Sequence, residues 1–248
     1  MGLNEKVAII TGAGGGIGKA TALRFAKEGA KVVIADIMEE KLAMVSAQIK
    51  KAGGQVVSSI MNHTDKTQVI RTVEKALSQF GKIDILCNIA GMNKDSICKK
   101  MKEQDFDDVI DINLKGPWLC CQAVIPAMSE QQSGTIINTS SIGAHGNIGQ
   151  TNYAAAKAGV IALSKSLALE LSRYNVTVNT VAPGATDTPL LRLTPQEVLD
   201  KFKYSIPLKR FATTAELANV YAFLAGNGSS YITGQVIYVA GGLDLVFK

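Results

Sequence analysis

The chain has 248 residues, of which 47% are hydrophobic and 19% are charged, and its formal net charge is +5. This composition excludes a disordered chain, and no apolar run reaches the roughly 18–20 residues that a membrane-spanning helix needs. The basic residues form no nucleic-acid-binding stripe, and the cysteines and histidines show no metal-ligand spacing. We therefore expect one cytoplasmic domain, residues 1–248, with no membrane and no nucleic acid among its partners.

Short apolar segments alternate with longer helix-like segments along the chain. The short segments are apolar throughout, as in parallel strands that are buried on both faces: Val7–Thr11, Val32–Asp36, Val56–Ile60, Ile83–Asn88, Thr135–Thr139, Thr177–Val181 and Val236–Val239. The helix-like segments are Ile17–Glu28, Glu39–Ala52, Lys66–Phe80, Gln104–Met128, Asn152–Arg173 and Thr214–Ala225. This alternation predicts an α/β fold, a doubly wound (Rossmann-type) domain whose central, mostly parallel seven-stranded sheet has helices on both faces.

The segment 183–210 interrupts this alternation and holds four of the chain's six prolines. It is predicted to be irregular, with a short helix near Pro195–Tyr204. Loops of this length in compact domains usually have a function or move. We interpret the segment as a substrate lid that offers apolar contacts from Leu190, Leu191 and Leu193; a surface excursion without function is the alternative.

A glycine-rich turn, Thr11-Gly-Ala-Gly-Gly-Gly-Ile-Gly18, follows the first predicted strand. Gly12, Gly16 and Gly18 allow a tight strand-to-helix turn and the close approach of a pyrophosphate to the backbone. The helix that follows presents free N–H groups and the positive end of its dipole. The turn therefore predicts a dinucleotide phosphate site, although its spacing is GxxxGxG and not GxGxxG.

Asp36 ends the second predicted strand, near the place where an acidic side chain meets the adenosine ribose in such folds. A carboxylate there accepts hydrogen bonds from the ribose hydroxyls and repels a 2′-phosphate. Gly15 stands where an NADP enzyme often has Arg or Lys. We therefore predict NAD(H) as the cofactor; Asp36 as the cap of the helix that begins at Glu39 is a compatible alternative.

Tyr153 and Lys157 are four residues apart and share one face of a predicted helix. A free tyrosine titrates near pH ~10, and a nearby ammonium lowers that pKa toward the range of general acid–base catalysis. Such a pair often occurs by chance. Here, however, the strand just upstream ends in hydroxyl side chains, Ser140 and Ser141, at the edge where ligands bind.

Together these motifs resemble the short-chain dehydrogenase/reductase family over essentially the whole chain, most of all its 3-oxoacyl-(acyl-carrier-protein) reductases. The segments of this chain that resemble that subgroup begin at Met92, Gly146 and Tyr231. The residues that match the family are Thr11–Gly18, Asn88–Gly91, Asn113, Ser140-Ser141, Tyr153, Lys157, Pro183-Gly184 and Thr188.

The resemblance implies a catalytic tetrad. Tyr153 would exchange a proton with the substrate oxygen, and Lys157 would lower its pKa and bind the nicotinamide ribose. Asn113 would hold a water that links Lys157 to solvent. The serine that binds the carbonyl oxygen is Ser141 when counted from Asn138 but Ser140 when counted back from Tyr153; we predict Ser141 and keep Ser140 as the alternative.

The resemblance also implies the cofactor contacts. Asn62 would meet the adenine and Thr188 the carboxamide, while His63 follows the third strand, where the family uses backbone contacts to adenine. The full predicted set is Gly12, Gly14, Gly15, Gly16, Ile17, Gly18, Asp36, Ile37, Asn62, His63, Asn88, Ala90, Gly91, Tyr153, Lys157, Pro183, Gly184 and Thr188. For the substrate we predict contacts from His145, Leu190 and Leu191, with His145 as an ordinary loop residue the alternative.

The expected reaction is an NAD(H)-dependent interconversion of a secondary alcohol and a ketone, with a 3-oxoacyl or 3-hydroxyacyl thioester as substrate. The alternatives are a free small alcohol, sugar or steroid and, from another class, a non-catalytic NAD-sensing protein. Arg173 suits an acidic carrier protein, but Glu130 and Gln131 stand where basic residues are expected, and the Glu130 carboxylate opposes an acidic partner because like charges across an interface repel. Family resemblance also implies a homotetramer that uses Asn152–Arg173 and the C-terminal segment Gln235–Lys248.

Overall fold

The computed structural model describes residues 2–188, 191 and 196–246. Its strands are β1 (Val7–Thr11), β2 (Lys31–Asp36), β3 (Val56–Ile60), β4 (Ile85–Asn88), β5 (Gly134–Thr139), β6 (Val176–Pro183), β7 (Thr186–Asp187), β8 (Ala212–Thr213) and β9 (Val236–Val239). Seven of them form a parallel sheet in the order β3-β2-β1-β4-β5-β6-β9, and β7 pairs with β8. The predicted parallel α/β fold is confirmed.

The helices of the described residues are α1 (Gly16–Lys27), α2 (Glu39–Lys51), α3 (Lys66–Phe80), α4 (Glu103–Ile110), α5 (Gly116–Gln131), α6 (Thr151–Leu171), α7 (Gln196–Ser205), α8 (Thr214–Ala225) and α9 (Leu243–Val246). One-turn 3₁₀ helices lie at Cys98–Lys100, Ile142–His145, Ser172–Tyr174 and Asn227–Ser229. Within these ranges, no helix combines the length and the apolar character that crossing a membrane requires.

Two hydrophobic clusters lie on opposite faces of the sheet. On one face α1, α2 and α8 bury side chains such as Phe25 and Leu217. On the other face α3, α5 and α6 bury side chains such as Val124 and Leu167. Because successive strand residues point to opposite faces, both faces need apolar side chains, which explains why the strand segments are apolar throughout.

The single helix predicted over Gln104–Met128 is wrong in its middle, where a π-turn, Asp111–Lys115, separates α4 from α5. In this turn the Gly116 N–H bonds to the Asp111 oxygen, five residues back. Pro117 has no N–H to offer the Asn113 oxygen four residues back, so the regular α-helical ladder fails there. Turns of this kind are frequent at functional sites, and this one carries the predicted catalytic residue Asn113.

Candidate active site

The glycine-rich turn between β1 and α1 is shaped by close packing. Gly12 has a φ of +67°, and a Cβ placed on it would lie 2.8 Å from the Ala90 Cα. A Cβ on Gly18 would lie 2.1 Å from the Gly12 oxygen. Gly15 precedes α1, no side chain caps that helix, and a Cβ on Gly15 would meet only open space. The start of α1 is therefore free to receive an anion, as a dinucleotide pyrophosphate requires.

Asp36 lies beside this turn and is bonded to it. One carboxylate oxygen accepts the Gly14 N–H at 3.0 Å, and the other accepts the Met38 N–H at 3.1 Å. Met38 is the N-cap of α2 and no side chain caps that helix, so Asp36 is not its cap. Ile37, next along the chain, is 65% exposed. The half-buried carboxylate lies at the open edge of the turn, where a ribose could reach it.

The predicted catalytic side chains converge where β5 ends and α6 begins. The Lys157 Nζ donates to the Thr139 main-chain oxygen at 2.9 Å and lies 5.6 Å from the centre of the Tyr153 ring. The hydroxyl of Ser141 accepts the Gly143 N–H at 3.0 Å and lies on the side of the Tyr153 phenol, whose pKa it lowers. The Ser140 hydroxyl points the other way and donates to the main-chain oxygen of Lys157.

Burial dominates the protonation of Tyr153 and Lys157. It raises the pKa of the Tyr153 phenol, against a smaller lowering by the hydrogen bond with Ser141. It lowers the pKa of Lys157 to about 8. The net shift of the Tyr153 pKa is therefore upward, opposite to the lowering expected from Lys157, because desolvation of the phenol is the largest effect on it.

Asn113 is fully buried in the π-turn, close to Lys157. Its Nδ2 donates to the Met92 oxygen at 2.7 Å and the Val109 oxygen at 3.0 Å, while its Oδ1 accepts the Met92 N–H at 3.3 Å. Gly91 lies between the two side chains, since a Cβ there would be 2.7 Å from the Asn113 Oδ1 and 3.5 Å from the Lys157 Nζ. The Asn113 amide thus fixes the loop that follows β4 against Lys157.

Two predicted adenosine-side residues have buried side chains that bond within the protein. The Asn88 amide donates to the Asn138 Oδ1 at 2.8 Å and to the Pro117 oxygen at 3.2 Å, so a contact of Asn88 with the cofactor would have to come from its backbone. The imidazole of His63 lies under the π-turn, with Nε2 2.8 Å from the Ile112 oxygen. Sequence reasoning gave this side chain no role.

The predicted catalytic side chains Ser141, Tyr153 and Lys157 line a cleft of about 880 Å³. Among the described residues that line it, Lys157 carries the only ionisable group besides the Tyr153 phenol. The predicted residues that share its wall are Ile17, Gly91, Ser140, Ser141, Tyr153, Lys157, Pro183, Gly184, Thr188 and Leu191. Leu190 and Leu193 lie outside the described residues. Phe202 of α7 and Val246 of α9 also line the cleft, although no motif marked them.

The side chains of His145 and Gln131 both make contacts within the chain. The ring of His145 stacks on Tyr238, with 5.5 Å between the centroids, and is not part of the described cleft wall, so the expected substrate contact is not supported. The Gln131 amide spans the backbone of Ile83, accepting its N–H at 3.0 Å and donating to its oxygen at 2.9 Å. Gln131 therefore fastens α5 to the start of β4 and is not a free partner-facing group.

Similarity to known proteins agrees with this geometry. A family model described as "Enoyl-(Acyl carrier protein) reductase" matches residues 12–244. The 3-oxoacyl-(acyl-carrier-protein) reductase FabG of Thermotoga maritima is 47% identical over 98% of this chain and 99% of its own. Levodione reductase superposes with a TM-score of 0.95 at 34% identity over 98% of this chain and 99% of its own. Actinorhodin polyketide ketoreductase, solved with NADPH, gives 0.93 at 30% identity over 96% and 97% of the two chains. The chain therefore belongs to the short-chain dehydrogenase/reductase family of oxidoreductases.

Proposed function

We propose that this chain is an NAD(H)-dependent oxidoreductase that interconverts the ketone of a 3-oxoacyl thioester and the corresponding secondary alcohol. One observation carries the proposal: Ser141, Tyr153 and Lys157 meet at the wall of a single cleft, beyond the carboxyl ends of the parallel strands. Asn113 is close to Lys157, with Gly91 between the two side chains. This is the edge at which sheets of this kind bind ligands.

The proposed mechanism assigns the proton to Tyr153. A bound nicotinamide supplies the hydride. Because burial raises its pKa, the Tyr153 phenol keeps its proton at neutral pH and can give it to the substrate oxygen as negative charge develops there. The Ser141 hydroxyl is placed to hydrogen-bond to the same oxygen. Lys157 would hold the nicotinamide ribose and replenish the proton, since its own pKa of about 8 lies near neutrality.

The preference for NAD(H) is proposed from Asp36. Its carboxylate is held at the edge of the phosphate turn by the N–H groups of Gly14 and Met38. A fixed negative charge there favours ribose hydroxyls and disfavours a 2′-phosphate. The solved ketoreductase was crystallised with NADPH, so the cofactor is the first property to test.

The cleft supports an uncharged, apolar acyl group as substrate. Met92, Ile142, Phe202, Leu243 and Val246 contribute apolar wall, and no described carboxylate lines the cleft. Glu130 is exposed on α5, which disfavours an acidic carrier protein, so we propose a coenzyme A thioester as the form of the substrate. A free ketone is the second candidate, because a solved relative of nearly the same fold is named levodione reductase.

We further propose a cytoplasmic homotetramer. All four cysteines are free thiols, which suits a reducing compartment. Helix α6 has little amphipathic character and leaves Leu169 81% exposed, as expected of a helix covered by another subunit. Leu245, in the C-terminal segment, is also exposed, whereas residues 247–248 lie outside the described part. The test is light scattering at micromolar concentration, in which a monomer would contradict the proposed assembly.

The test of the function is the oxidation of NADH and of NADPH, side by side, with acetoacetyl-coenzyme A, the corresponding acyl-carrier-protein thioester and a cyclic diketone. Faster turnover with NADH and a thioester supports the proposal. Turnover with the diketone alone would move the substrate to free ketones. NADH binding without any turnover would indicate a sensor.

A further inference from the structure

The buried imidazole of His63 has a hydrogen-bonding role that the catalytic tetrad does not include. His63 follows β3, and its Nε2 lies 2.8 Å from the main-chain oxygen of Ile112 in the π-turn. A carbonyl oxygen can only accept, so Nε2 carries the proton of a neutral imidazole. Burial lowers the pKa of His63, which agrees with the neutral form.

The π-turn itself creates the need for this donor. In a regular α-helix the Gly116 N–H would bond to the Ile112 oxygen, four residues back. Here that N–H bonds to the Asp111 oxygen instead. The Ile112 oxygen thereby loses its helical donor, and the imidazole replaces it from a segment 49 residues away in sequence.

Gly116 and His63 are matched in shape. A Cβ on Gly116 would lie 2.0 Å from the His63 Cδ2 and 2.6 Å from its Nε2. Any side chain at position 116 would therefore push the imidazole off the Ile112 oxygen. The glycine keeps open the space in which His63 reaches the turn.

We propose that His63 is a positioning residue that holds the π-turn, and with it Asn113, in place for catalysis. Asn113 directly follows Ile112, and its amide fastens the loop of Gly91 and Met92 beside Lys157. The role assigned to Asn113 rests on the proposed function. His63 also follows Met61, whose N–H bonds to the Asp36 oxygen, so the contact joins the adenosine end of the site to the proton-transfer end.

The test compares His63→Ala, His63→Gln, Gly116→Ala and the double variant of His63→Ala with Gly116→Ala. In His63→Ala, kcat for acetoacetyl-coenzyme A should fall about 10- to 100-fold with little change in KM, because the reacting groups are misplaced but the cleft is intact. His63→Gln keeps a side-chain N–H of similar reach and should recover most of kcat. Gly116→Ala as a single variant should lose activity, because the added methyl group clashes with the imidazole. In the double variant it should cause no further loss, since His63→Ala has already removed the imidazole.

Hydrogen exchange of the amides of residues 109–118 provides a readout that needs no turnover. It should accelerate in His63→Ala and in Gly116→Ala but not in His63→Gln. Unchanged exchange and unchanged kcat in His63→Ala would overturn the proposal. Loss of thermal stability with normal kcat in the folded enzyme would also overturn it, leaving a merely structural histidine. If the wild type fails to reduce any thioester, the exchange data still decide whether His63 holds the turn, so the two failures remain distinct.

Discussion

The Ser140 hydroxyl donates a hydrogen bond to the main-chain oxygen of Lys157, with 2.7 Å between the two oxygens. Ser141, in extended backbone, turns its hydroxyl toward Tyr153 instead. Successive residues of an extended chain point to opposite sides, so only one of the two serines can face the cleft chemistry. The other ties the end of β5 to α6.

Ser141→Ala should therefore lower kcat by about 10²-fold, the usual effect of removing one group that stabilises charge on the reacting oxygen. NADH affinity and thermal stability should stay close to those of the wild type. Ser140→Ala is the matched control: it removes one hydrogen bond from the Lys157 oxygen, which still accepts an N–H within α6, so it should cost about 0.5–1.5 kcal/mol of folding free energy while the folded enzyme turns over normally. Steady-state kinetics and denaturant unfolding of both variants check this, and the reverse pattern would assign catalysis to Ser140.

Tyr153→Phe should leave NADH affinity nearly intact and lower turnover by about 10²–10⁴-fold, because only the acid–base hydroxyl is lost. NADH fluorescence titration and single-turnover kinetics measure the two quantities. Tyr204→Phe removes the same hydroxyl from a side chain that is 78% exposed and outside the described cleft wall, so it serves as the control. Unchanged turnover in Tyr153→Phe would refute the proton-transfer role.

The fold could be predicted from the sequence because the central strands β1, β2, β4, β5 and β6 are buried on both faces. That requirement leaves uninterrupted apolar segments such as Ile85–Asn88, and the helices between them are bounded by glycine or polar residues. The π-turn was missed because helix-forming residues surround it on both sides. Its only sequence signal is the Gly116-Pro117 pair inside a predicted helix, which marks a break in the hydrogen-bond ladder.

The site could be predicted only where its residues lie in a local motif. Tyr153 and Lys157 share one helix, and Asp36 ends a strand, so their spacing marked them as candidates, and the family resemblance then implied their roles. The contacts of His63 and Gln131 join segments 49 and 48 residues apart, and no pattern within either segment predicts them. The orientation of Ser141 depends on strand geometry that a count along the chain cannot supply.

Asp36→Asn should shift selectivity toward NADPH by about tenfold or more in the ratio of kcat/KM values, on the order of 1.4 kcal/mol, since the negative charge facing a 2′-phosphate is removed. Asparagine keeps one acceptor oxygen, so one of the two loop contacts, to Gly14 or Met38, is retained. Kinetics with both cofactors measure the shift. Glu40→Gln neutralises an exposed carboxylate in α2 and should leave the ratio unchanged. Equal shifts in both variants would indicate an effect of the protein's net charge and not of Asp36.

The stability of the enzyme relative to Lys157→Met should rise with pH between about 8 and about 10.5. The folded pKa of Lys157 is lowered to about 8, below the ordinary value of 10.5, so in this window the unfolded chain binds more protons than the folded one. The penalty of a buried ammonium is complete below pH 8 and is relieved above it, by at most about 1.4 kcal/mol per pH unit. Urea unfolding of both proteins from pH 7 to pH 10 tests this, and a difference that does not vary with pH would contradict the lowered pKa.

Asn152→Leu should destabilise the fold by about 2–4 kcal/mol. The buried amide donates to the Lys94 oxygen at 3.0 Å and the Asp105 oxygen at 3.2 Å, and its own oxygen accepts the Tyr153 N–H at 2.7 Å. Leucine has a similar volume but makes none of these three hydrogen bonds. Lys94→Met removes only the half-exposed ion pairs with Asp105 and Asp108 and should cost less than about 1 kcal/mol. If denaturant unfolding shows that both variants lose a similar free energy of unfolding, the three hydrogen bonds of Asn152 do not stabilise the fold more than the ion pairs of Lys94 do.

The π-turn between α4 and α5 has a consequence for how this site could be gained or lost. A hydrogen bond between residues i and i+5 encloses one residue more than the α-helical bond between residues i and i+4. Deleting one residue of Asp111–Lys115 would restore α-helical spacing between α4 and α5, except for the one hydrogen bond that Pro117 cannot donate. The shortened protein would have the same sheet and the same cofactor turn but no seat for Asn113 or for the His63 imidazole. In this region, the deletion of a single codon would therefore remove part of the proposed proton-transfer site and keep the fold.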